Sequence, residues 1–466
     1  MAALDAARIA ARLDRLPACW SIWRLILFIS LGGVFEFYSV FLTGYIAPRM
    51  MAAGLFTPQS LGPFAILQDI AVSGAGTFVF CTFAGLWAGA VLCSPLIDWF
   101  GRKRLFLWAM GWFVVCTLVM GFQQSGAALN FWRFVAGVGF GAQLVTMDVY
   151  IAELMPAAAR GRAFAFNQSI TFGIVPVAAL MAWLTAPLDL AGLPGLRLVM
   201  LLGTTGILAV WPLSRVLPES PRWLALRGRV TEAEAVTAAL ENAVARETGQ
   251  PLPPPTTAQP EEDGPGHFWE IFTPRYAERT LMLCLFSMAQ VVGFYGFAAW
   301  VPTLLIARGV NFVTSFEYSF IIALASPFGP ALGLFFADRL ERRTQIVLGL
   351  VLMALFMAGF AIVRQPLLLI LIGVLFTLSA NVMSYAYHNY QAELFPTRIR
   401  ARGIGFAYSW SRLAAAFAGL AVGYFLYAGG VAAVAVFIGV AMVVGVVMIT
   451  VFGPDTTARA LEDINH

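Results

Sequence analysis

Tyr150-Ile-Ala-Glu-Leu-Met-Pro-Ala-Ala-Ala-Arg-Gly-Arg-Ala-Phe-Ala-Phe166 returns 240 residues later as Tyr390-Gln-Ala-Glu-Leu-Phe-Pro-Thr-Arg-Ile-Arg-Ala-Arg-Gly-Ile-Gly-Phe406. Tyr150/Tyr390, Glu153/Glu393, Pro156/Pro396, Arg160/Arg400 and Arg162/Arg402 match at that offset, as do Asp98/Asp338 and Arg102/Arg342. Agreement at one fixed offset marks an internal duplication. Two parallel halves related by an axis along the membrane normal is one plan for a transporter, with the substrate site between the halves near mid-bilayer.

Composition places the duplication in a bilayer. Of 466 residues, 60% are hydrophobic and 12% charged, and the mean hydropathy is +0.80. Soluble chains carry roughly 25% charge, so water is not the solvent for this much apolar surface. A transmembrane barrel would show alternating segments of ~10 residues. The apolar runs here are long and unbroken, so each reads as a spanning helix of about 20 residues. About twelve spans are predicted, near 22–47, 72–97, 104–122, 129–154, 163–186, 196–214, 279–305, 315–338, 345–363, 367–394, 403–427 and 430–452. The fold class is therefore all-α, two pseudo-symmetric bundles of six helices.

Arginines set the orientation. Arg102-Lys103-Arg104, Arg160 with Arg162, Arg339 with Arg342-Arg343, and Arg398 with Arg400 and Arg402 follow the even-numbered spans, whereas 122–128 and 427–430 carry almost no positive charge. By the positive-inside rule both termini are cytoplasmic. Residues 1–21 then form a short interfacial segment with Arg8, Arg12 and Arg15, and 22–214 the first bundle. Residues 215–278, with a charged helical stretch from Thr231 to Thr248 and the Pro-rich run Pro251 to Pro260, form a part-helical, part-flexible linker. The second bundle covers 279–452, and 453–466 is a tail. The net charge of +4 follows from these loops and does not call for nucleic acid, and the five cysteines show neither metal-ligand nor disulfide spacing.

Ser94-Pro-Leu-Ile-Asp98-Trp-Phe-Gly101-Arg102-Lys103-Arg104 and its second copy around Asp338 and Arg342 resemble the loop signature of the major facilitator superfamily. Pro218-Glu219-Ser220-Pro221-Arg222-Trp223-Leu224 and the Tyr150 motif look like its sugar-porter branch. Span 7 reads Gln290-Val-Val-Gly293-Phe294-Tyr295 and span 10 Asn381-Val-Met-Ser-Tyr385-Ala-Tyr387-His388, both unlike the sugar-porter pattern. Glu393-Leu-Phe-Pro396, followed by Ser411-Arg412-Leu413, is more similar to niacin, aromatic-acid and organic-anion transporters, in which an arginine at this place goes with anionic substrates.

Charges inside spans are expensive, ~3 kcal/mol or more at the bilayer centre, and so point to function. Glu36 in span 1 reads either as a proton-coupling carboxylate or as a permanently paired ion. Arg133, at a similar height in span 4, is its expected partner, and the resemblance implies the same pairing; alone, Arg133 reads as a snorkelling arginine. Asp148 either pairs with a cytoplasmic-side arginine or assists proton exit. Gln168, Gln290, Tyr295, Asn381, Tyr385 and His388 are candidate substrate contacts, with helix packing as the other reading; Asn381, Tyr385 and His388 share one helical face. Arg412, about ten residues into span 11, suits a carboxylate; its alternative is an unidentified internal acid. The resemblance implies a cytoplasmic gate of Asp98, Arg102, Glu153, Arg160, Arg162, Asp338, Arg342, Glu393, Arg400 and Arg402, bridging the halves when the inner side is closed.

The expectation is a monomeric, multi-pass inner-membrane transporter, coupling a small organic anion to protons by alternating access. Its alternatives are a sugar or polyol/proton symporter, or a non-transporting receptor on a transporter fold. No cofactor is expected, the proton gradient being the energy source, and no metal site or catalytic residue: no HExxH, GxSxG or phosphate-loop motif occurs in the chain.

Overall fold

The computed structural model describes residues 2–54, 74–156, 159–185, 189–190, 193–255, 267–336, 340–395 and 397–454. The first bundle runs through α2 (Trp20–Ala52), α3 (Gly74–Phe100), α4 (Arg102–Gly121), α5 (Gly126–Leu154), α6 (Arg160–Thr185) and a sixth span made of α7 (Gly195–Leu202), a 3-10 turn and α8 (Ile207–Val216); α1 (Ala2–Asp14) precedes it. α9 (Pro221–Leu226) and α10 (Val230–Thr248) form the linker. The second bundle contains α11 (Pro274–Ala298), α12 (Val301–Ala307), α13 (Phe312–Ala323), α14 (Phe328–Phe336), α15 (Arg342–Ile362), α16 (Pro366–Glu393) and α17 (Thr397–Phe452).

Eleven helical runs among the described residues are long and apolar enough to cross a membrane. The last, α17, crosses twice, because Gly429 and Gly430 (φ +63°) leave helical geometry between its two parts. The twelve predicted spans are thus all present. Helices are the form such runs must take, since in lipid the backbone has to satisfy its own hydrogen bonds. Spans 7 and 8 differ from the unbroken helices expected. The first breaks at Ala299–Trp300, before Pro302, and the second between Ala323 and Phe328. Backbone interrupted at membrane depth is tolerated where protein or a cavity covers it.

The duplication is visible as a tie repeated in each half. The Tyr150 hydroxyl donates to the carbonyl of Pro218, just beyond the sixth span. The Tyr390 hydroxyl donates to the carbonyl of Pro454, just beyond the twelfth, at 2.9 Å. Between α3 and α4 the chain turns at Gly101, whose φ of +93° and whose approach to Glu219 exclude a side chain. Glu219 accepts from the backbone N–H groups of Arg102 and Lys103, capping α4 where its dipole favours an anion.

The N-terminal segment is a helix packed on the linker. α1 packs on α9 and α10, burying Ile9, Leu13 and Leu16 there. Its arginines meet acids of α10: Arg12 and Arg15 reach Glu241 at 2.5 and 2.6 Å, and Arg8 reaches Glu234 at 2.8 Å. The linker is helical where expected; its part at 256–266, read as flexible, lies outside the described residues.

At the end of α10, Glu247 accepts from the backbone N–H groups of Trp20 and Ser21 and from the Ser21 hydroxyl, so it caps α2. The Ser21 hydroxyl first, then these backbone donors, hold its pKa down to about 2. A depressed carboxylate contributes stability above its unfolded pKa of about 4.3, and loses it as pH falls toward the folded value. Between about pH 4.3 and 2, the thermal midpoint of the wild type in detergent should therefore fall more steeply than that of Glu247→Gln. Parallel curves would remove Glu247 from the acid response.

The halves meet mainly toward the face opposite the linker. There Phe80 of α3 packs on Phe417 of α17 (5.5 Å), and Trp183 of α6 stacks on Phe320 of α13 (6.1 Å). The α2 backbone at Gly44 touches the break between α11 and α12: a Cβ at Gly44 would lie 2.0 Å from the Ala299 carbonyl oxygen. On the linker face, among the described residues, ion pairs join elements of the first half and its appendages. Arg102 binds Asp98 and Glu153 at 3.1 and 2.7 Å, and Asp14 meets Arg222 and Arg160 at 2.8 and 3.8 Å. The aromatic and Gly44 contacts hold the two halves together on the far face.

Candidate substrate and proton sites

Arg412 sits about 22 Å along α17, near the middle of the span, and is 5% exposed. Its Nη1 donates to the Tyr295 hydroxyl at 3.2 Å. Its guanidinium carbon lies 4.2 Å from the ring centre of Tyr408, one turn earlier on the same helix. Its Nε is buried without a partner. Among the described residues no carboxylate forms an ion pair with it. A buried cation satisfied by one hydroxyl and a ring face is a poor final state, since desolvation costs several kcal/mol per ion. It is a good initial state for binding an anion, to which a guanidinium offers paired N–H donors.

Two other groups enter its field. Asp148 of α5 interacts electrostatically with Arg412 across the gap between the halves. No ion pair joins Asp148 to a cytoplasmic-side arginine among the described residues. His388 of α16 also lies within the electrostatic reach of Arg412. His388 Nδ1 donates to the Ser384 carbonyl at 2.7 Å, leaving Nε2 as an acceptor in the neutral ring. Gln168 of α6 donates to the Ser384 hydroxyl at 3.4 Å, a hydrogen bond between the halves.

Tyr295 joins the cation to an aromatic cluster. Its ring lies 4.6 Å from Phe83, 5.0 Å from Phe294 and 6.3 Å from Phe41, and Phe172 packs on both Phe41 and Phe294. Phe41, Phe172 and Phe294, with Tyr45 and Asn381, line a cavity between the halves that has ≈ 430 Å³ of empty space, open in part to solvent. Gln290 and Tyr385 are buried on α11 and α16. The arrangement suits a small anion with a flat apolar body.

Glu36 and Arg133 are both buried, yet they are not paired. Arg133 Nε donates to Thr82 Oγ1 at 2.8 Å, Nη1 to Ser39 Oγ at 2.6 Å, and Nη2 to the Ser39 carbonyl at 2.7 Å and to Thr43 Oγ1. Every guanidinium nitrogen is satisfied by neutral groups. Glu36, 1% exposed, has its Oε1 buried without a partner. The expected pairing fails by one turn: Arg133 meets the α2 face at Ser39 and Thr43, three and seven residues beyond Glu36, and heights counted from span ends do not resolve 5.4 Å.

Of the expected gate, Asp98, Arg102 and Glu153 come together within the first half, and Arg160 joins Asp14. Arg162 and Arg402 are exposed. Asp338 and the side chains of Glu393 and Arg400 lie outside the description, and Arg342 begins α15. Sequence reasoning missed Tyr408, Ser384 and the hydroxyls around Arg133. The signals were present: Tyr408 precedes Arg412 by four residues, and Ser39 and Thr43 continue the face of Glu36.

A family model described as "Sugar (and other) transporter" matches residues 25–466. The chain belongs to this family. A member of it is a transporter, not an enzyme, and a multi-pass membrane protein. The putative metabolite transport protein YyaJ of Bacillus subtilis is 28% identical, over 97% of this chain and 96% of its own. The niacin transporter NiaP of Acinetobacter baylyi is 26% identical, over 98% and 99%. In fold, the chain is similar to the xylose transporter XylE from E. coli in a partially occluded inward-open conformation, with a TM-score of 0.74 at 20% identity, over 95% and 100% of the two chains. The family member described here therefore has the major facilitator fold.

Proposed function

We propose that the chain is a proton-coupled symporter of a small organic anion, a carboxylate, working by alternating access in the inner (plasma) membrane with its linker face cytoplasmic. Arg412 is the observation that supports this most: a buried cation at mid-span with an unpartnered Nε and no ion-paired carboxylate among the described residues. The niacin transporter among the relatives is in keeping with such a substrate. The substrate carboxylate takes Arg412, while its apolar body lies on the Tyr295 and Phe294 side.

Glu36 carries the proton. An ionised carboxyl without a cation or donor is costly at this depth, so the loaded carrier crosses with Glu36 protonated. Once the linker face opens, Glu36 gives its proton to water and the anion leaves. Coupling follows because the empty carrier then returns with Glu36 ionised and hydrated, so no proton is carried back. No cofactor takes part; the proton gradient supplies the energy.

Uptake into proteoliposomes under an inward proton gradient tests this, comparing labelled nicotinate and benzoate with hexoses and pentoses. Passive entry of the neutral acids is subtracted using protein-free liposomes. Concentrative acid uptake that a protonophore collapses is the expected result; uptake of sugars alone would overturn the anion reading. Glu36→Gln should lose accumulation yet retain exchange of substrate down its gradient, and undiminished accumulation would remove Glu36 from coupling.

A further inference from the structure

The cavity wall built by α13 and α16 has a one-sided hydrogen-bonding chemistry. Ser319, Thr377 and Asn381 all line the cavity. Ser319 Oγ donates to the Ser315 carbonyl at 2.6 Å, Thr377 Oγ1 to the Gly373 carbonyl at 2.9 Å, and Asn381 Nδ2 to the Thr377 carbonyl at 2.8 Å. Ser319 and Thr377 each spend their one hydrogen on the helix carbonyl four residues back and keep lone pairs, while Asn381 spends one of its two amide hydrogens there and keeps its carbonyl oxygen open. Asn381 is the clearest case. The residue is 2% exposed, and its Oδ1 is buried without a partner. Reversing the amide would set Oδ1 against the Thr377 carbonyl, so the helix fixes the amide with its nitrogen on that carbonyl. A buried acceptor left empty costs free energy that a donating ligand recovers.

We propose that Asn381 Oδ1 is a specificity-determining acceptor for the transported molecule. The substrate then carries a hydrogen-bond donor, a hydroxyl or a ring N–H, separated by a flat apolar body from its carboxylate. This rests on Arg412 taking the carboxylate. The aromatic cluster separates the two poles: Tyr295 touches Arg412, while Phe41, Phe172 and Phe294 share the cavity with Asn381. The lone pairs of Ser319, Thr377 and Asn381 disfavour a carboxylate beside them, so the end of the substrate that carries charge faces Arg412. An acid without a donor leaves Oδ1 empty in the complex, and sites built around a polar contact reject such analogues strongly.

The test measures kcat/KM in proteoliposomes for 4-hydroxybenzoate, 4-methoxybenzoate and benzoate, with wild type and Asn381→Ala. The methoxy acid keeps the oxygen and removes the donor. Wild type is expected to prefer 4-hydroxybenzoate to 4-methoxybenzoate by roughly tenfold or more, and Asn381→Ala to bring that ratio to near one. A wild-type ratio near one, or an equal loss of all three acids in the variant with the ratio kept, overturns the acceptor role while leaving Arg412 in place. Transport of no acid by wild type overturns the anion reading and this inference with it. If Asn381→Ala loses all transport, the wild-type ratio decides alone, tenfold for the proposal and unity against it.

Discussion

Arg412→Ala is expected to cut kcat/KM for anion uptake roughly a hundredfold, about 3 kcal/mol, while leaving thermal stability in detergent unchanged or raised. The two halves of that expectation come from the same environment. In the empty carrier the guanidinium donates to one hydroxyl, lies against two ring faces, keeps a bare Nε and forms no ion pair among the described residues, with Asp148 and His388 only in its field. Removing it relieves a desolvated charge instead of breaking a network. In the loaded carrier it makes charge-assisted bonds to the carboxylate, and those are lost. Arg412→Lys should recover only part of the activity, because an ammonium lacks the planar fork. Neutral analogues should lose far less than acids. Arg133 is the internal contrast. Its nitrogens meet Thr82, Ser39 and Thr43, so Arg133→Ala empties a fully used cluster and should lower the thermal midpoint. Uptake assays and thermal unfolding on the two variants separate a binding arginine from a structural one. A fall in stability for Arg412→Ala equal to that of Arg133→Ala would make Arg412 structural.

Gly44→Trp should abolish transport by holding the far face open. The contact is backbone to backbone: a Cβ at Gly44 would meet the Ala299 oxygen, carbon and Cα at 2.0, 2.6 and 2.9 Å. No rotamer change relieves such a clash, so α2 must move away from the break between α11 and α12. Even Gly44→Ala adds overpacking of about 1–3 kcal/mol to the closed state, a shift of roughly five- to 150-fold toward the open one. A cysteine placed at Ser319 in the cavity, with the five native cysteines replaced, reports the change. It should react with an impermeant thiol reagent from the far side in Gly44→Trp and be protected in the parent. Full uptake by Gly44→Trp would show that this contact does not close the far gate.

The fold was legible because its signals are coarse. Long apolar runs punctuated by arginines mark the spans, and the 240-residue repeat around Tyr150 and Tyr390 marks the halves. The breaks in spans 7 and 8 were not legible, because proline near the start of a new helix reads like proline inside an old one. Arg412 stood out as a charge in an apolar run. Its neighbours did not: when nearly every face of a span is apolar, periodicity does not reveal which face turns inward, so Tyr408 and Phe294 look like any other aromatic residues. Glu36 and Arg133 were found singly and paired wrongly, since one turn decides whether α5 meets Glu36 or Ser39. The partner of the N-terminal helix was not legible for a related reason. Arginines beside an apolar stripe fit lipid headgroups, and they fit equally well an acidic helix such as α10, whose Glu234 and Glu241 lie two turns apart.

The tyrosine tie has a bearing on how such a molecule arose. Tyr150 closes the first half on Pro218, and Tyr390 closes the second on Pro454. The unit that was doubled already carried its own fastening, so neither copy depended on the other for its shape. A spare copy of that kind is free to drift wherever the two surfaces face each other. One descendant then kept the business of the proton, with Glu36, and its sibling took up the cargo, with Arg412 and Asn381.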